Sequence, residues 1–379
     1  MSACDPCLRR ALLIAMLAAR IAGLLDRPAK RVAGLLALPE AELIEALGGE
    51  RSEYLRDFLD ARDLDLDRER FAESEVSAVC RHAPEYPPQL EELADAPAVL
   101  FALGDLRRLE RLRGEPAVAV VGTRNPSPYG REVAHALGRG LGAARVPVVS
   151  GLALGIDAIS HRGCLAGGGM PIAVLACGPD FVYPRRHHQL HSEVREHGVV
   201  LSELPPGVRP FRWSFPARNR IMAGLARMTV VVEAADPSGS LITSDFARDL
   251  GRLVAAVPGH VTSRAARGTN GLLRDGAIPI TRVEDVLDEL FGVGGRAAPP
   301  PASRPPPQPA DPLLRRVLEA AEGDESVAAI AAACGATVAQ TRAALGRLEA
   351  EGWLVRRDLG GWQRAMESPT ATRPGLTRI

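Results

Sequence analysis

Glycine, hydroxyl and arginine residues recur in short loops of the central part of the chain. Gly122-Thr123-Arg124 and Ser150-Gly151 each follow a short apolar run, and Ser238-Gly239-Ser240 opens a helical pattern that includes Thr243. Backbone amides at helix N-termini and in glycine-rich loops bind anions, and arginine forks bind phosphate. These loops therefore predict an anion-binding site, with phosphate as the ligand.

A second group of residues combines arginine with aromatic rings. Five of the fifteen aromatic residues fall between Phe181 and Phe215, although aromatics are scarce elsewhere. The arginines in and beside this stretch are Arg185, Arg186, Arg212, Arg218 and Arg220. Arginine on phosphates with rings under bases is typical of proteins that bind a single nucleic-acid strand. Residue types alone leave a nucleic acid and a nucleotide-like small molecule equally open.

Other chemistries lack their motifs. No G-x-G-x-x-G follows the first strand and no acidic residue ends the second, which excludes the usual nicotinamide or flavin fingerprint. No GK[ST] occurs, and Lys30 is the only lysine, so a Walker-type nucleotide site is excluded.

The histidines and cysteines do not add a catalytic or metal site to the prediction. Asp157 and His161 lie four residues apart near Ser150, and we interpret Asp157 as stabilising its helix and His161 as lining the loop pocket. Nothing near His187-His188-x-x-His191 supplies a paired carboxylate and a second coordination shell, so this histidine-rich segment is predicted to be solvated. Cys4 and Cys7 form a CxxC with no second pair, so we predict no metal and no cofactor.

Three apolar runs position the phosphate-binding loops. Val118–Val121, Pro147–Val149 and Ile172–Leu175 show no polar alternation, as in parallel strands buried on both faces, and helical patterns follow the first two. Further strands are predicted at 99–103, 199–201, 229–232 and 253–257. The predicted fold class is α/β, an extended Rossmann-like, doubly wound, mostly parallel sheet that binds its ligand at the carboxyl ends of the strands.

The rest of the chain divides by composition and periodicity. Residues 1–75 predict a small N-terminal helical domain of the SAM or helix-hairpin-helix kind, and 76–293 form the Rossmann-like domain. Residues 294–311 are a Pro-rich linker, 312–366 predict a C-terminal winged-helix domain, and 367–379 a disordered tail.

Composition limits the setting of the protein. The 46 basic and 46 acidic residues give no net charge, so bulk charge does not indicate a nucleic-acid binder. The six cysteines are scattered, which favours a reducing, cytoplasmic location. No apolar run reaches about 18 residues, so no membrane-spanning helix is predicted.

The central motifs resemble those of the DprA/Smf family, the DNA-processing proteins of natural transformation. The matching strings run in order from residue 120 to 277: VVGTRNPSPYG, VSGLALGIDAISH, FVYPRR, LSELPPG, FPARNRIMAGLA, VVVEA, GSLIT, AVPGH and GTNGLLRDGA. The resemblance implies a non-enzymatic, homodimeric protein that binds and protects incoming single-stranded DNA. It also implies that the protein loads RecA onto that DNA, in competition with the single-strand-binding protein.

The resemblance also implies roles for individual residues. Arg124 should grip a phosphate, helped by the amides of the two loops, and other arginines should track the strand or line the same pocket. The predicted DNA- and phosphate-binding set is therefore Gly122, Thr123, Arg124, Ser150, Gly151, His161, Arg185, Arg186, Arg212, Arg218, Asn219, Arg220, Ser238, Gly239, Ser240 and Thr243.

The sequence departs from the family pattern at one position, and two functional alternatives stay open. Leu154 stands where the family usually has an arginine, so either one groove charge is lost or Arg162 or Arg186 compensates. A nucleotide or phosphoribosyl hydrolase would use the same anion pocket, but the loop at Pro258-Gly259 lacks that class's second glycine and its acid. The C-terminal winged helix carries both signs of charge in its recognition helix, which suits a protein contact at least as well as duplex DNA.

Overall fold

The computed structural model describes residues 3–24, 33–296, 309–321, 326–356 and 362–364, and these form two compact units. The division falls between residues 299 and 300. The predicted boundary at residue 75 lies inside the larger unit. The predicted tail at 367–379 and most of the predicted linker lie outside the described residues.

A mixed sheet of nine strands forms the centre of the larger unit. The strands are β1 Ser77–Cys80, β2 Val99–Gly104, β3 Val118–Val121, β4 Val148–Ser150, β5 Pro171–Leu175, β6 Val199–Ser202, β7 Met228–Val231, β8 Leu253–Ala256 and β9 Ile278–Pro279. Their order is β1-β2-β6-β5-β4-β3-β7-β8-β9. Strand β2 is antiparallel to β1 and β6, and the other neighbours are parallel. The predicted mostly parallel, Rossmann-like sheet is confirmed; β1 and β9 at its edges were not predicted.

The order of the strands creates a switch point at β3. From β3 the chain adds β4, β5 and β6 on one side, and then returns to place β7 and β8 on the other. The loops after β3 and β7 therefore leave the sheet in opposite directions and open a crevice between them. Ligands of doubly wound sheets bind in such a crevice.

Helices cover both faces of the sheet. The helices of the larger unit are α1 Asp5–Leu24, α2 Ala33–Leu36, α3 Glu40–Gly48, α4 Ser52–Asp60, α5 Leu64–Glu73, α6 Arg107–Glu110, α7 Pro128–Ala143, α8 Ile156–Ala166, α9 His188–His197, α10 Ser214–Leu225, α11 Gly239–Asp249, α12 Arg267–Arg274 and α13 Val283–Phe291. Val118 and Val120 pack on the side of α7, α8 and α13, whereas Ala119 and Val121 pack on the side of α10. Burial on both faces explains why the strand lacks polar alternation.

Glycines allow α7 and α8 to pack at close range. A Cβ at Gly138 or Gly142 of α7 would lie 2.3 or 2.5 Å from carbonyl oxygens of α8. Conversely, a Cβ at Gly163 of α8, or at Gly167 directly after it, would lie 2.4 or 2.2 Å from carbonyl oxygens of α7. Because these helices follow β3 and β4, their close approach also holds the two phosphate-loop candidates next to each other.

The N-terminal helices are packed against the sheet. Leu8 and Leu12 of α1 share a core with Phe101 of β2. The second half of α1 packs with α3, α4 and Trp213, whose Nε1 donates a hydrogen bond to the Ala18 carbonyl at 2.8 Å. Contacts with the N-terminal helices therefore hold the start of α10 in place, in addition to its contacts with the sheet.

The described residues of the smaller unit form three helices and a two-stranded sheet. They are α14 Pro312–Ala321, α15 Val327–Cys334, α16 Val338–Ala350, and the antiparallel strands β10 Leu354–Arg356 and β11 Trp362–Arg364. Gly335, with a φ of 62°, makes the turn after α15, and Thr337 and Gln340 cap α16 reciprocally. Among the described residues no single helix is long and apolar enough to cross a membrane; α15 and α16 together pass by length and composition, but are bent by 102°.

Candidate nucleic-acid interface

A groove of about 650 Å³ opens at the carboxyl ends of β3 and β7. Its walls are the loop after β3, the first half of α10, and the segment that leads from β7 into α11. Its predicted members are Gly122, Thr123, Arg124, Arg212, Arg218, Asn219, Ser238, Gly239, Ser240 and Thr243. The fold thus brings together residues from three distant parts of the sequence at the switch point.

The loop after β3 is held by backbone hydrogen bonds, and Arg124 projects from it. The Thr123 amide donates to the Glu233 carbonyl at 2.7 Å, and the Ile156 amide donates to the Thr123 carbonyl at 3.2 Å. Arg124 is exposed, and its guanidinium carbon lies 5.2 Å from the ring centroid of Phe215. A cation–π contact of this kind orients the arginine while leaving its N–H groups available to an anion.

Arg218 forms the buried floor of the groove. It is 7% exposed, donates from Nη1 to the Val174 carbonyl at 2.9 Å, and lies 3.6 Å from the Asp157 carboxylate. Among the described residues, its buried Nε has no hydrogen-bond acceptor. The site therefore holds a guanidinium in place with one donor that the protein does not use.

Asp157 links Arg218 to the loop after β4. Its carboxylate accepts a hydrogen bond from the Gly151 amide at 3.0 Å. Burial raises the pKa of Asp157, whereas Arg218 and the backbone N–H groups oppose this by stabilising the charged form. The interpretation of Asp157 as a helix-stabilising residue missed this contact, because no local pattern connects it to an arginine on α10.

The N-terminus of α11 points into the groove. Ser238 caps this helix by accepting the Ser240 amide at 3.4 Å, and the two hydroxyl groups lie 2.8 Å apart. Asn219 donates to the Gly239 carbonyl at 3.4 Å, which ties α10 to the same end. The positive end of the α11 dipole and these hydroxyl groups add neutral donors to the three arginines.

Several predicted site residues do not line the groove. The Ser150 hydroxyl is buried and donates to the Val120 carbonyl at 2.7 Å. Thr123 does line the groove, but its amide donates to the Glu233 carbonyl, and the Gly151 amide donates to the Asp157 carboxylate, so the prediction that these two amides bind phosphate is wrong. Arg185 and Arg186 are exposed, beyond the groove wall at Tyr183.

Arg220 was predicted to bind phosphate, but the structure places it in the core. It is 1% exposed, its Nη2 donates to both Glu203 carboxylate oxygens at 2.7 Å, and its Nε lies 2.9 Å from Asp95. Residues two apart on a helix point in different directions, so Arg218 and Arg220 cannot both face the groove. Arg220 is a structural residue that pairs with two buried carboxylates.

His161 is also buried rather than groove-lining. Its side chain is completely inaccessible, and among the described residues neither ring nitrogen makes a well-formed hydrogen bond, although a backbone group of Ser150 lies close enough to favour the protonated form. Burial lowers the pKa of His161 to about 3. The folded protein therefore holds this imidazole neutral, and its predicted place in the loop pocket is wrong.

The buried His161 predicts acid sensitivity. Its folded pKa lies below the ordinary value of 6.5, so the unfolded chain takes up this proton first and stability falls as pH drops below 6.5. Between about pH 7 and about pH 5 the loss is on the order of 2 kcal/mol. Urea unfolding of wild type and His161→Leu at both pH values tests this: their stability difference should change by that amount, and parallel pH curves would contradict it.

The histidine cluster predicted to be solvated is mostly buried. His187 Nδ1 lies 2.9 Å from the Leu152 carbonyl and His191 Nε2 lies 2.8 Å from the Pro179 carbonyl, whereas His188 is exposed. The solvated interpretation is therefore wrong for two of the three. Their hydrogen bonds fasten α9 to the loops after β4 and β5.

Only part of the aromatic cluster faces the groove. Tyr183 and Phe215 line it, with ring centroids 5.7 Å apart. Trp213 is buried against the N-terminal helices, and Phe211 and Phe181 pack on core clusters. The aromatic enrichment in the sequence therefore has two causes, a ring pair beside Arg124 and ordinary core packing.

A second cavity of about 650 Å³ lies beside α1 and β1, but its charge does not suit phosphate. Its lining carries the carboxylates of Glu40, Glu91, Asp95 and Glu203 with the guanidinium groups of Arg10 and Arg81. In the groove, by contrast, three arginines face a single carboxylate, that of Asp157. Anion binding therefore favours the groove.

Comparisons with known proteins match the same part of the chain. Residues 77–291, more than half of the chain, match the family model described as DNA recombination-mediator protein A. The protein assigned as DNA processing protein DprA in Mycobacterium tuberculosis is 42% identical over 288 residues, which cover 75% of this chain and 73% of the relative.

Two solved structures share the fold. The X-ray structure of DNA processing protein A from Streptococcus pneumoniae is 32% identical with a TM-score of 0.61, and covers 76% of this chain and 99% of its own. DNA processing protein A from Helicobacter pylori, described for its single-stranded DNA binding mode, is 29% identical with a TM-score of 0.52 and covers 57% and 95%. Sequence motifs, fold and these matches agree that the chain belongs to the DNA recombination-mediator protein A family, that of the DprA/Smf proteins.

Proposed function

We propose that this chain binds single-stranded DNA in the groove at the switch point of its sheet. The observation that carries the proposal is the arrangement of Arg124, Arg212 and Arg218 around one groove with the rings of Tyr183 and Phe215 beside them. Guanidinium groups neutralise phosphates and exposed rings stack on bases without regard to sequence. The single-stranded DNA binding described for the Helicobacter pylori relative supports the same ligand.

We propose that the bound DNA strand continues past the groove along two further arginines. Arg185 and Arg186 are exposed and lie two and three residues beyond Tyr183. We propose that they continue the positive surface of the groove beyond Tyr183. A strand that crosses the ring pair would therefore meet phosphate partners on both sides of it.

We further propose the cellular role that the family resemblance implies. In this role the protein is a cytoplasmic homodimer that protects incoming single strands during natural transformation and loads RecA onto them, in competition with the single-strand-binding protein. Family membership supports this proposal. A direct check is RecA filament assembly on DNA coated with single-strand-binding protein, which this chain should accelerate.

An enzymatic role for the groove receives less support. Asp157 is the one carboxylate that lines it among the described residues, and it is paired with Arg218 and the Gly151 amide. A general acid or base must reach the substrate, which this buried pair does not do. We therefore propose a binding protein rather than a nucleotide or phosphoribosyl hydrolase.

For the smaller unit we propose a winged helix that contacts a protein. Three helices, α14 to α16, are followed by the antiparallel pair β10–β11, which supports this proposal. On α16, Arg347 lies 3.3 Å from Asp311 and 3.4 Å from Glu351. Pairing of this kind reduces the charge that duplex phosphates need.

Binding of a fluorescent oligothymidine tests the groove. Arg124→Ala should weaken binding about tenfold at low salt, because a charged hydrogen bond to phosphate contributes about 1.5 kcal/mol or more. The slope of log affinity against log salt should become shallower by about 0.7, the value for one phosphate on a single strand. Fluorescence anisotropy at several salt concentrations, with the matching duplex alongside, gives both numbers.

The control for this experiment is Arg107→Ala. Arg107 is exposed on α6, which follows β2. Strand β2 ends beside the first residue of β6, at the amino ends of the parallel strands, whereas the groove lies at their carboxyl ends. The variant removes the same charge as Arg124→Ala but at a position away from the groove, so it should bind DNA like wild type. Equal losses in both variants would show that net charge and not the groove binds DNA; no loss in Arg124→Ala would contradict the groove itself.

A further inference from the structure

Three cysteines and a histidine converge at the start of the N-terminal helix. Cys4 immediately precedes α1 and Cys7 lies in its first turn, while Cys80 ends β1 and His82 follows in the next turn. The ligand atoms of all four residues lie within 4.8 Å of one another. The described part of the chain contains no other group of this kind.

Two sulfur–nitrogen separations in the cluster match those around a tetrahedral zinc ion. Cys4 Sγ and Cys7 Sγ lie 3.4 and 3.5 Å from His82 Nδ1. With Zn–S of about 2.3 Å and Zn–N of about 2.0 Å, a tetrahedral ion holds sulfur and nitrogen about 3.5 Å apart. Three sulfurs and one imidazole nitrogen form a complete ligand set of the Cys3His kind.

The surroundings of the cluster also suit a metal. Cys7 and Cys80 are buried, whereas His82 is exposed and borders the cavity beside α1, which provides a path for an ion. The Ala83 amide donates to the Cys80 carbonyl at 2.9 Å, and the resulting turn holds Cys80 and His82 close together.

We propose that Cys4, Cys7, Cys80 and His82 bind one structural zinc ion that fastens the start of α1 to the edge strand β1. All four coordination positions are filled by protein, so the site has no open position for substrate. The ion would join two segments that are 75 residues apart in the sequence. It would therefore stabilise the packing of the N-terminal helices on the sheet, whether or not the groove binds DNA.

Metal content of the full-length protein is the direct test. The chain is prepared in reducing buffer with added Zn²⁺, passed through a desalting column, and analysed by mass spectrometry of the metal. We expect one zinc ion per chain in the wild type and none in Cys80→Ala. The matched control is Cys334→Ala, which removes a buried cysteine of the smaller unit and should keep its zinc.

Cobalt substitution keeps the test decisive if Cys80→Ala does not fold. Co²⁺ bound to the wild-type chain should show tetrahedral ligand-field bands and a thiolate-to-metal charge-transfer band, which weakens in Cys4→Ser. A metal chelator should lower the Tm of the wild type, because loss of a ligand bound only by the folded state reduces stability. Wild-type protein without zinc, a cobalt spectrum without thiolate bands, or a disulfide among these cysteines in protein from reducing cells would each overturn the proposal.

Discussion

Replacing Arg220 with methionine is expected to destabilise the protein by about 3–5 kcal/mol, the usual cost of leaving a buried charge without its partner. The substitution keeps the long side chain but removes the cation between Asp95 and Glu203, which are 5% and 8% exposed. Both carboxylates then remain in the core without a counter-charge. Urea unfolding at about pH 7.5 measures this loss.

The destabilisation should shrink at lower pH. Burial raises the pKa of Glu203 above its ordinary value of 4.5, and the positive charge of Arg220 opposes that rise. Without Arg220 the folded pKa of Glu203 rises further, so the folded variant binds this proton more tightly than its unfolded chain does. Stability is therefore lost as the pH increases from the ordinary value of 4.5 towards the raised folded value. The deficit at about pH 5 should therefore be smaller than at about pH 7.5.

Two further variants separate charge from packing. Arg107→Met on the exposed α6 should change stability by less than about 0.5 kcal/mol. Combining Arg220→Met with Glu203→Gln should recover part of the loss, since one of the two unpaired charges is removed. A full-sized deficit that does not respond to pH or to Glu203→Gln would mean that lost packing, and not charge, is responsible.

Loss of Arg218 is expected to weaken binding of single-stranded DNA by about 10–100-fold, the range for a charged hydrogen bond to a phosphate in a partly buried site. Arg218 is the most buried of the three groove arginines and is already held by Val174 and Asp157. Little ordering of its side chain is then needed on binding. The oligothymidine assay with Arg218→Met measures the effect.

Gly151→Ala should produce the same loss without changing any charge. A Cβ at Gly151 would lie 1.2 Å from Arg218 Nη1, so the guanidinium has to leave its position. Gly271→Ala on α12 is the matched control, because a Cβ there meets no atom within 4 Å. If folded Gly151→Ala binds DNA like wild type, then DNA binding does not depend on the position of Arg218.

The central architecture could be predicted from local sequence. Apolar runs without alternation, such as Val118–Val121, are compatible only with burial on both faces, and the glycine and hydroxyl residues after them mark the carboxyl ends of parallel strands. These signals are short-range, since they depend on neighbouring residue types and on the period of the chain. They located the sheet and the edge at which the groove opens, and together with the arginine-rich stretch and the family resemblance they named ten of the residues that line the groove.

The roles of individual side chains were decided only by the tertiary structure. Arg218 and Arg220 belong to the same motif, yet one lies on the groove and the other between Asp95 and Glu203. Their separation of two residues rotates them to different sides of α10, and partners that are remote in sequence determine which side is groove and which is core. The same holds for Cys80 and His82, since only the folded chain places them beside Cys4 and Cys7.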